Sequence, residues 1–181
     1  MHPLRAAEGR KEIHLFLRLS SSAHFVGEIG LDLSTEGRKT RDIQVENLRN
    51  ILPAIRDGTF VTVHSRNAHN ELAILLDEYS VGPVCFHYYV GGPQDADKLS
   101  KRGHFFSVNQ RMLTGKHRIL LDAVPMDRVL VETDGPFLTK NTLTALRQTY
   151  SALSAAWGFP PKEIENQIER NFQTCRTRNS F

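Results

Sequence analysis

Residues 60–66 read FVTVHSR: an apolar run, β-branched and aromatic, that ends on His64 and turns polar at once. A short run of this kind reads as a buried strand, with the histidine at its carboxyl end. Three other stretches share the plan. FVGEIGLD (25–32) carries Glu28, PVCFHYY (83–89) carries His87, and RVLVETDGP (128–136) ends near Asp134. Four side chains of metal-binding type thus stand at or near the ends of four predicted strands.

Helical periodicity fills the intervals. Helices are predicted over 7–19, 40–57, 68–79, 93–102, 116–124, 141–157 and 160–173, and strands over 25–31, 59–64, 83–87, 104–108 and 128–132. Gly58 is the expected stop of the second helix, and Pro93 and Pro160-Pro161 open later ones. Strands alternating with helices imply βαβ units, a parallel sheet and right-handed crossovers. Periodicity alone is compatible with an open doubly wound sheet or an incomplete barrel. In either, strand carboxyl ends converge on one mouth, where two carboxylates and two imidazoles suit a divalent ion and metal-assisted hydrolysis.

The chain has 181 residues, 40% hydrophobic and 24% charged, with a formal charge of +3. Those values describe an ordinary globular chain and one domain over 1–181, with no repeat or linker. No run has membrane-spanning length and no signal-peptide pattern opens the chain. Cys85 falls in a predicted strand and Cys175 in a basic tail, two unrelated contexts without a disulfide framework. A reducing cytoplasm is the expected location. GxSxG, GxxxxGK[ST], GxGxxG and zinc-ribbon spacings are all missing, which argues against serine nucleophiles, P-loops and dinucleotide folds.

Each candidate has an ordinary alternative. Glu28 in an apolar strand is costly to bury without a partner, although an edge-strand glutamate would be solvated. Glycines at 27 and 30 suit close approach of backbone or ligand. His64 or His87 alone is equally a satisfied core histidine, and Asp134 alone is a turn former. The argument is the conjunction. The remaining histidines (His2, His14, His24, His69, His104 and His117) fall at helices, loops or strand starts and read as packing or surface residues.

The segments GEIGLD, VHSRNA, FHYYVGG, FFSVN and ETDGPFL, in that order, resemble the TatD family of metal-dependent deoxyribonucleases. Met1-His2-Pro3 is similar to the family's Gly-x-His-Pro turn. LDLSTEGRKT, FHYYVGG and FFSVN resemble the branch found in bacterial Qat anti-phage defence systems. The resemblance implies a parallel-stranded (β/α)8 barrel of the metal-dependent hydrolase type, one or two divalent cations (Mg, Mn or Zn), and exonuclease action on DNA, single-stranded ends above all. It implies Glu28, His64, His87 and Asp134 as metal ligands. Glu28 would bridge, and Asp134 would help activate water. Arg66 and Asn109 would lie near substrate, whereas Lys101, Arg102, Arg111 and Lys116 read as a solvated face.

The family's first strand ends in a His-x-His pair that has no counterpart here, since Glu12-Ile13-His14 lies in a predicted helix. The expectation is a barrel incomplete at its N-terminus by one or two strands. One ion would be held well, by Glu28, His64 and His87, and nuclease activity would be reduced. Unpaired edges at 25–31 and 128–132 would invite self-association or a covering protein partner. The competing reading is a non-catalytic subunit or remnant that keeps the motifs by ancestry alone.

Overall fold

The computed structural model describes residues 2–114 and 119–177. Lys116, His117 and the first residues of the predicted helix 116–124 lie outside the described residues. Five strands, β1 (Phe25–Gly30), β2 (Phe60–His64), β3 (Cys85–His87), β4 (Phe105–Val108) and β5 (Val129–Val131), form one sheet in sequence order. Every pairing is parallel. Parallel neighbours need a crossover. These are supplied by α2 (Arg41–Ile51), α3 (His69–Glu78), α4 (Pro93–Lys101) and α5 (Ile119–Ala123). Helix α1 (Gly9–Ser20) precedes the sheet, and α6 (Thr142–Trp157) and α7 (Pro161–Thr177) close the chain.

The predicted helix 40–57 is shorter than expected. It ends at Ile51, followed by a 3-10 turn over Leu52–Ala54. Pro53 explains the early stop, because its ring displaces the preceding carbonyls and it offers no amide to the helical ladder. Gly58 lies beyond this break.

Among the described residues β1 and β5 each have a strand on one side only, so the sheet is an arc. It holds five strands where a closed barrel of this architecture has eight. Side-chain alternation divides its two faces. Val61, Val63, Val84, Phe86, Phe106, Val108 and Val129 point outward into the main core shared with the helices. Phe60, Cys85, Phe105 and Leu130 point to the inner face, near the amino ends of the strands.

Helix α7 seals that lower inner layer. Phe172 packs on Phe60, ring centroids 5.3 Å apart, and stacks on Phe25 at 6.4 Å. Asn171 pins the helix by donating to the carbonyls of Met126 (2.8 Å) and Val129 (2.7 Å). The basic tail around Cys175 is therefore a packed helix. Cys85 and Cys175, which looked unrelated in sequence, are both buried in this one apolar cluster. Chain separation gave no hint of it, because the contact joins the third strand to the last helix.

His104, just before β4, is buried, and its Nδ1 accepts the amide of Val84 at 3.3 Å. Burial, with Arg102 nearby, depresses its pKa to about 4. The unfolded chain takes up this proton near pH 6.5, whereas the folded chain resists it until about pH 4. Stability from this group is therefore complete above the unfolded pKa and falls as pH drops through that window, by about 3 kcal/mol in all. Urea unfolding at neutral and acidic pH should show a flatter pH dependence in His104→Gln than in the wild type. Equal slopes would contradict the assignment.

Candidate metal centre

The mouth is assembled by register. His64 and His87 are direct partners across β2 and β3, so their side chains leave the same face of adjacent strands. Asn109 and Glu132 follow the last paired residues of β4 and β5, Val108 and Val131. Glu28 reaches the mouth by another route. Pairing of β1 with β2 shifts between Val26 and Ile29, a bulge that places an extra residue beside Glu28. Bulges re-aim side chains in this way. The flanking glycines make it feasible. A Cβ on Gly27 would collide with the Thr62 hydroxyl, and one on Gly30 with the His64 carbonyl.

Each histidine stands between two carboxylates. His64 Nε2 lies 2.7 Å from Asp32 Oδ2, and its Nδ1 lies 3.0 Å from Glu28 Oε1. His87 Nδ1 lies 2.5 Å from Glu132 Oε2, and its Nε2 lies 3.5 Å from Asp134 Oδ1. Burial separates the roles of the four acids. Asp32 and Glu132 side chains are 1% and 9% exposed, against 22% and 24% for Glu28 and Asp134.

The two buried acids are themselves fixed. Asp32 Oδ1 accepts the Ser34 amide at 2.8 Å. Glu132 accepts the Ser107 hydroxyl and, at 3.0 Å, the Asn109 amide. A buried carboxylate that holds the proton on one imidazole nitrogen leaves the other nitrogen to face a cation, the usual support of a ligating histidine. Asp32 thus orients His64, Glu132 orients His87, and the nitrogens left facing the mouth sit beside Glu28 and Asp134.

The four expected ligands are brought to one mouth as two pairs, Glu28 with His64 and His87 with Asp134. The pairs feel each other's charge. Burial alone would raise the Glu28 pKa, yet His64, His87 and His2 hold it below the usual carboxylate value. Asp134 is raised, by burial and by the charges of Glu132 and Glu28, against the pull of His87. Burial would lower both central histidines, but Glu28 and Asp32 hold His64 up, and Glu132 lifts His87 to about 9.

Backbone geometry is also unusual at this end. Among the described residues four non-glycine residues have positive φ, and three follow strands at the mouth: Asn67 (54°), Tyr88 (43°) and Asp134 (50°). Such conformations cost free energy and gather at functional sites.

Asn109 is 4% exposed, and both ends of its amide are used inside the protein. It supports Glu132 from below the opening. Arg66, on the loop after β2, and Arg111, in the 3-10 turn Gln110–Leu113, are exposed at the mouth and form no ion pair among the described residues. Lys101 and Arg102 pair with Asp97 and Asp77 at the opposite end of the sheet. Phe137, three residues after Asp134, is 88% exposed and lines a 360 Å³ pocket with Asn109, Arg111 and Thr133.

Sequence reasoning passed over three residues of this site. Asp32 lies at a loop start and closes the GEIGLD segment, two residues after the glycine that ends β1, but nothing local marks it as the partner of His64. Glu132 shares the parity of Leu130, which was legible, but its bond to His87 was not. His2 read as a packing or surface residue within a segment similar to the family's Gly-x-His-Pro turn, with no role in the site. In fact its Nε2 lies 3.8 Å from Glu28 Oε2, and its ring meets that of His64 edge-on at 4.6 Å. His2, Glu28 and His64 each offer a ligand atom within 4.8 Å of the others. Burial and the proximity of His64 lower the His2 pKa, with Glu28 and Asp32 partly opposing.

Comparison with known proteins gives the family of the chain. A family model described as TatD related DNase matches residues 1–176, and the chain belongs to the TatD family. Human deoxyribonuclease TATDN3 is 32% identical over 118 residues, covering 62% of this chain and 43% of that protein. The metal-dependent hydrolase YabD of Bacillus subtilis is 27% identical over 156 residues, covering 81% of this chain and 60% of its own length. The chain thus spans about half the length of these relatives. A TatD-family hydrolase structure from Entamoeba histolytica superposes with a TM-score of 0.77 at 16% identity, covering 97% of this chain and 72% of the other. The arc is therefore the TIM-barrel-like fold of this family.

Replacing Asp32 by Asn tests the orienting role. An amide in place of the carboxylate favours the opposite tautomer of His64. Nitrogen NMR of the imidazoles should show the His64 proton moving from Nε2 to Nδ1, and metal affinity should fall about tenfold to a hundredfold. An unchanged His64 spectrum would contradict it.

Proposed function

We propose that this chain carries the active-site strands of a metal-dependent hydrolase that cleaves phosphodiester bonds of DNA. The observation that supports this most is the repeated device at the mouth: an imidazole backed by a buried acid and facing a second, more accessible acid. Nothing in packing requires that pattern twice on adjacent strands. Histidine nitrogen with carboxylate oxygen suits zinc or manganese, and magnesium through the acids. Among the described residues, Glu28 and His64 stand close enough to share one divalent ion, while His87 and Asp134 form a separate imidazole–acid pair beside them rather than the further ligands of that ion.

A bound divalent ion supplies Lewis acidity toward phosphoryl oxygen and makes nearby water easier to deprotonate. Asp134, whose pKa stands above the usual carboxylate value, is the better proton acceptor of the two accessible acids. It takes the proton of the attacking water, and its left-handed backbone aims the carboxylate into the mouth. Glu28 remains ionised and holds the charge of the site. Asn109 positions Glu132 and, through it, His87. The DNA backbone meets Arg66 and Arg111, which face solvent without a protein partner among the described residues. An unpaired base stacks on Phe137, since exposed aromatic rings are the usual platform for single strands. This favours single-stranded ends as substrate. Among the described residues no helix is long and apolar enough to cross a membrane.

The open edge of β1 favours a second reading, in which another copy of the chain covers it. Phe25 is 61% exposed there, although it stacks on Phe172. Light scattering separates the cases: a dimer supports this reading, and a monomer at all concentrations removes it.

Two measurements test the enzyme reading. Melting temperature should rise with added Mn²⁺, since a ligand of the native state stabilises it by about 3 kcal/mol at a hundred times its dissociation constant. Turnover of a single-stranded oligonucleotide should fall at least about a hundredfold in Asp134→Asn, the scale of a lost general base, and in His64→Ala, through loss of the metal it holds. Full turnover in His64→Ala would sink the proposal.

A further inference from the structure

Proximity nominates His2 as a third ligand beside Glu28 and His64, but the placement of its proton points elsewhere. We infer that His2 is a hydrogen-bond donor, through Nε2–H, to an oxygen of a phosphate or phosphodiester bound over Glu28 and His64, and is not a metal ligand. The inference rests on the hydrolase reading of the same mouth.

The argument starts from the backbone. His2 is extended (φ −67°, ψ 137°) and caps the 3-10 turn Pro3–Glu8, in which Pro3 occupies the first position. Its Nδ1 accepts the Leu4 amide at 3.3 Å. A neutral imidazole carries one proton, and an Nδ1 that accepts leaves that proton on Nε2. Nε2 is the atom turned into the site. A nitrogen bearing hydrogen has no lone pair to give a cation. To become a ligand, His2 would have to move its proton to Nδ1, opposite the Leu4 N–H, and lose the cap.

The N–H is also aimed without being satisfied. Its nearest carboxylate oxygen, Glu28 Oε2, lies 3.8 Å away, beyond hydrogen-bond length. Edge-on contact with His64 at 4.6 Å restrains the ring. Glu28 already places its other oxygen on His64 Nδ1, so the side of Glu28 that faces His2 is the open one. A donor held a little too far from an acid, at the rim of a cation site, suits an anionic oxygen arriving with the substrate. Fixed N–H donors of this kind stabilise charge on phosphoryl oxygen. His2 forms or breaks no covalent bond in this role.

Two substitutions separate donor from cap and from ligand. His2→Asn keeps an oxygen where Nδ1 stood, so the turn retains its acceptor while the Nε2 donor is removed. His2→Gln places an amide NH₂ near the Nε2 position and gives up the cap. Mn²⁺ binding is read by thermal titration, and inorganic phosphate binding to the Mn²⁺-loaded protein by calorimetry. In His2→Asn, Mn²⁺ affinity should stay within about threefold of wild type while phosphate affinity falls about tenfold to a hundredfold, the scale of a lost hydrogen bond to a charged group. His2→Gln should recover most of the phosphate affinity.

Nitrogen NMR of the metal-free wild type should show the Nε2–H tautomer at His2. An Nδ1–H tautomer, a loss of Mn²⁺ affinity as large as that of His64→Ala, or undiminished phosphate binding in His2→Asn would each overturn the inference. A wild-type chain that takes up no Mn²⁺ would sink the hydrolase reading itself, and the donor role with it.

Discussion

The mouth of this protein depends on two imidazoles in register on adjacent parallel strands, each clamped by a buried carboxylate. His64 and His87 face the same way because they pair directly across β2 and β3. Asp32 and Glu132, the more buried acids, then each hold one nitrogen of a ring. Remove the register and the rings no longer share a site. Remove the buried acids and the rings keep their place but lose their orientation.

Supporting a charged pair in a half-buried site is costly unless every lone pair is used. Here the cost is met by local donors. Ser34 serves Asp32, and Ser107 and Asn109 serve Glu132. The same logic accounts for Asn109, whose buried amide braces Glu132 while the residue also borders the pocket that holds Phe137 and Arg111. The loops beyond the strands carry the strained residues Asn67, Tyr88 and Asp134, so rigidity in the sheet underwrites unusual backbone at its rim. The lower inner face is different in kind. Phe60, Phe105, Leu130 and the two cysteines form a plug closed by α7, which leaves chemistry to the upper layer alone.

Much of this was legible beforehand. Short apolar runs that stop at polar turn residues located all five strands, and the strand ends singled out Glu28, His64, His87 and Asp134, which the fold brings to one mouth. The helix stops at Ile51 rather than running to residue 57, because Pro53 breaks the ladder before Gly58 is reached. The shared burial of Cys85 and Cys175, and the contact of Asn171 with β5, join segments far apart in the chain, and no local pattern encodes such distances.

The chain's own order of residues determined a parallel α/β arrangement, the parity of each strand, and which acids and histidines stand at strand ends. These follow from local periodicity and turn chemistry. Only the tertiary structure decided that Glu28 enters through a bulge, that Asp32 and Glu132 orient the two imidazoles, and that His2 arrives from an N-terminal turn with Nε2 toward the site. The physical reason is that proton placement and ring orientation are set by atoms within hydrogen-bond distance, and those neighbours exist only after the strands have come into register.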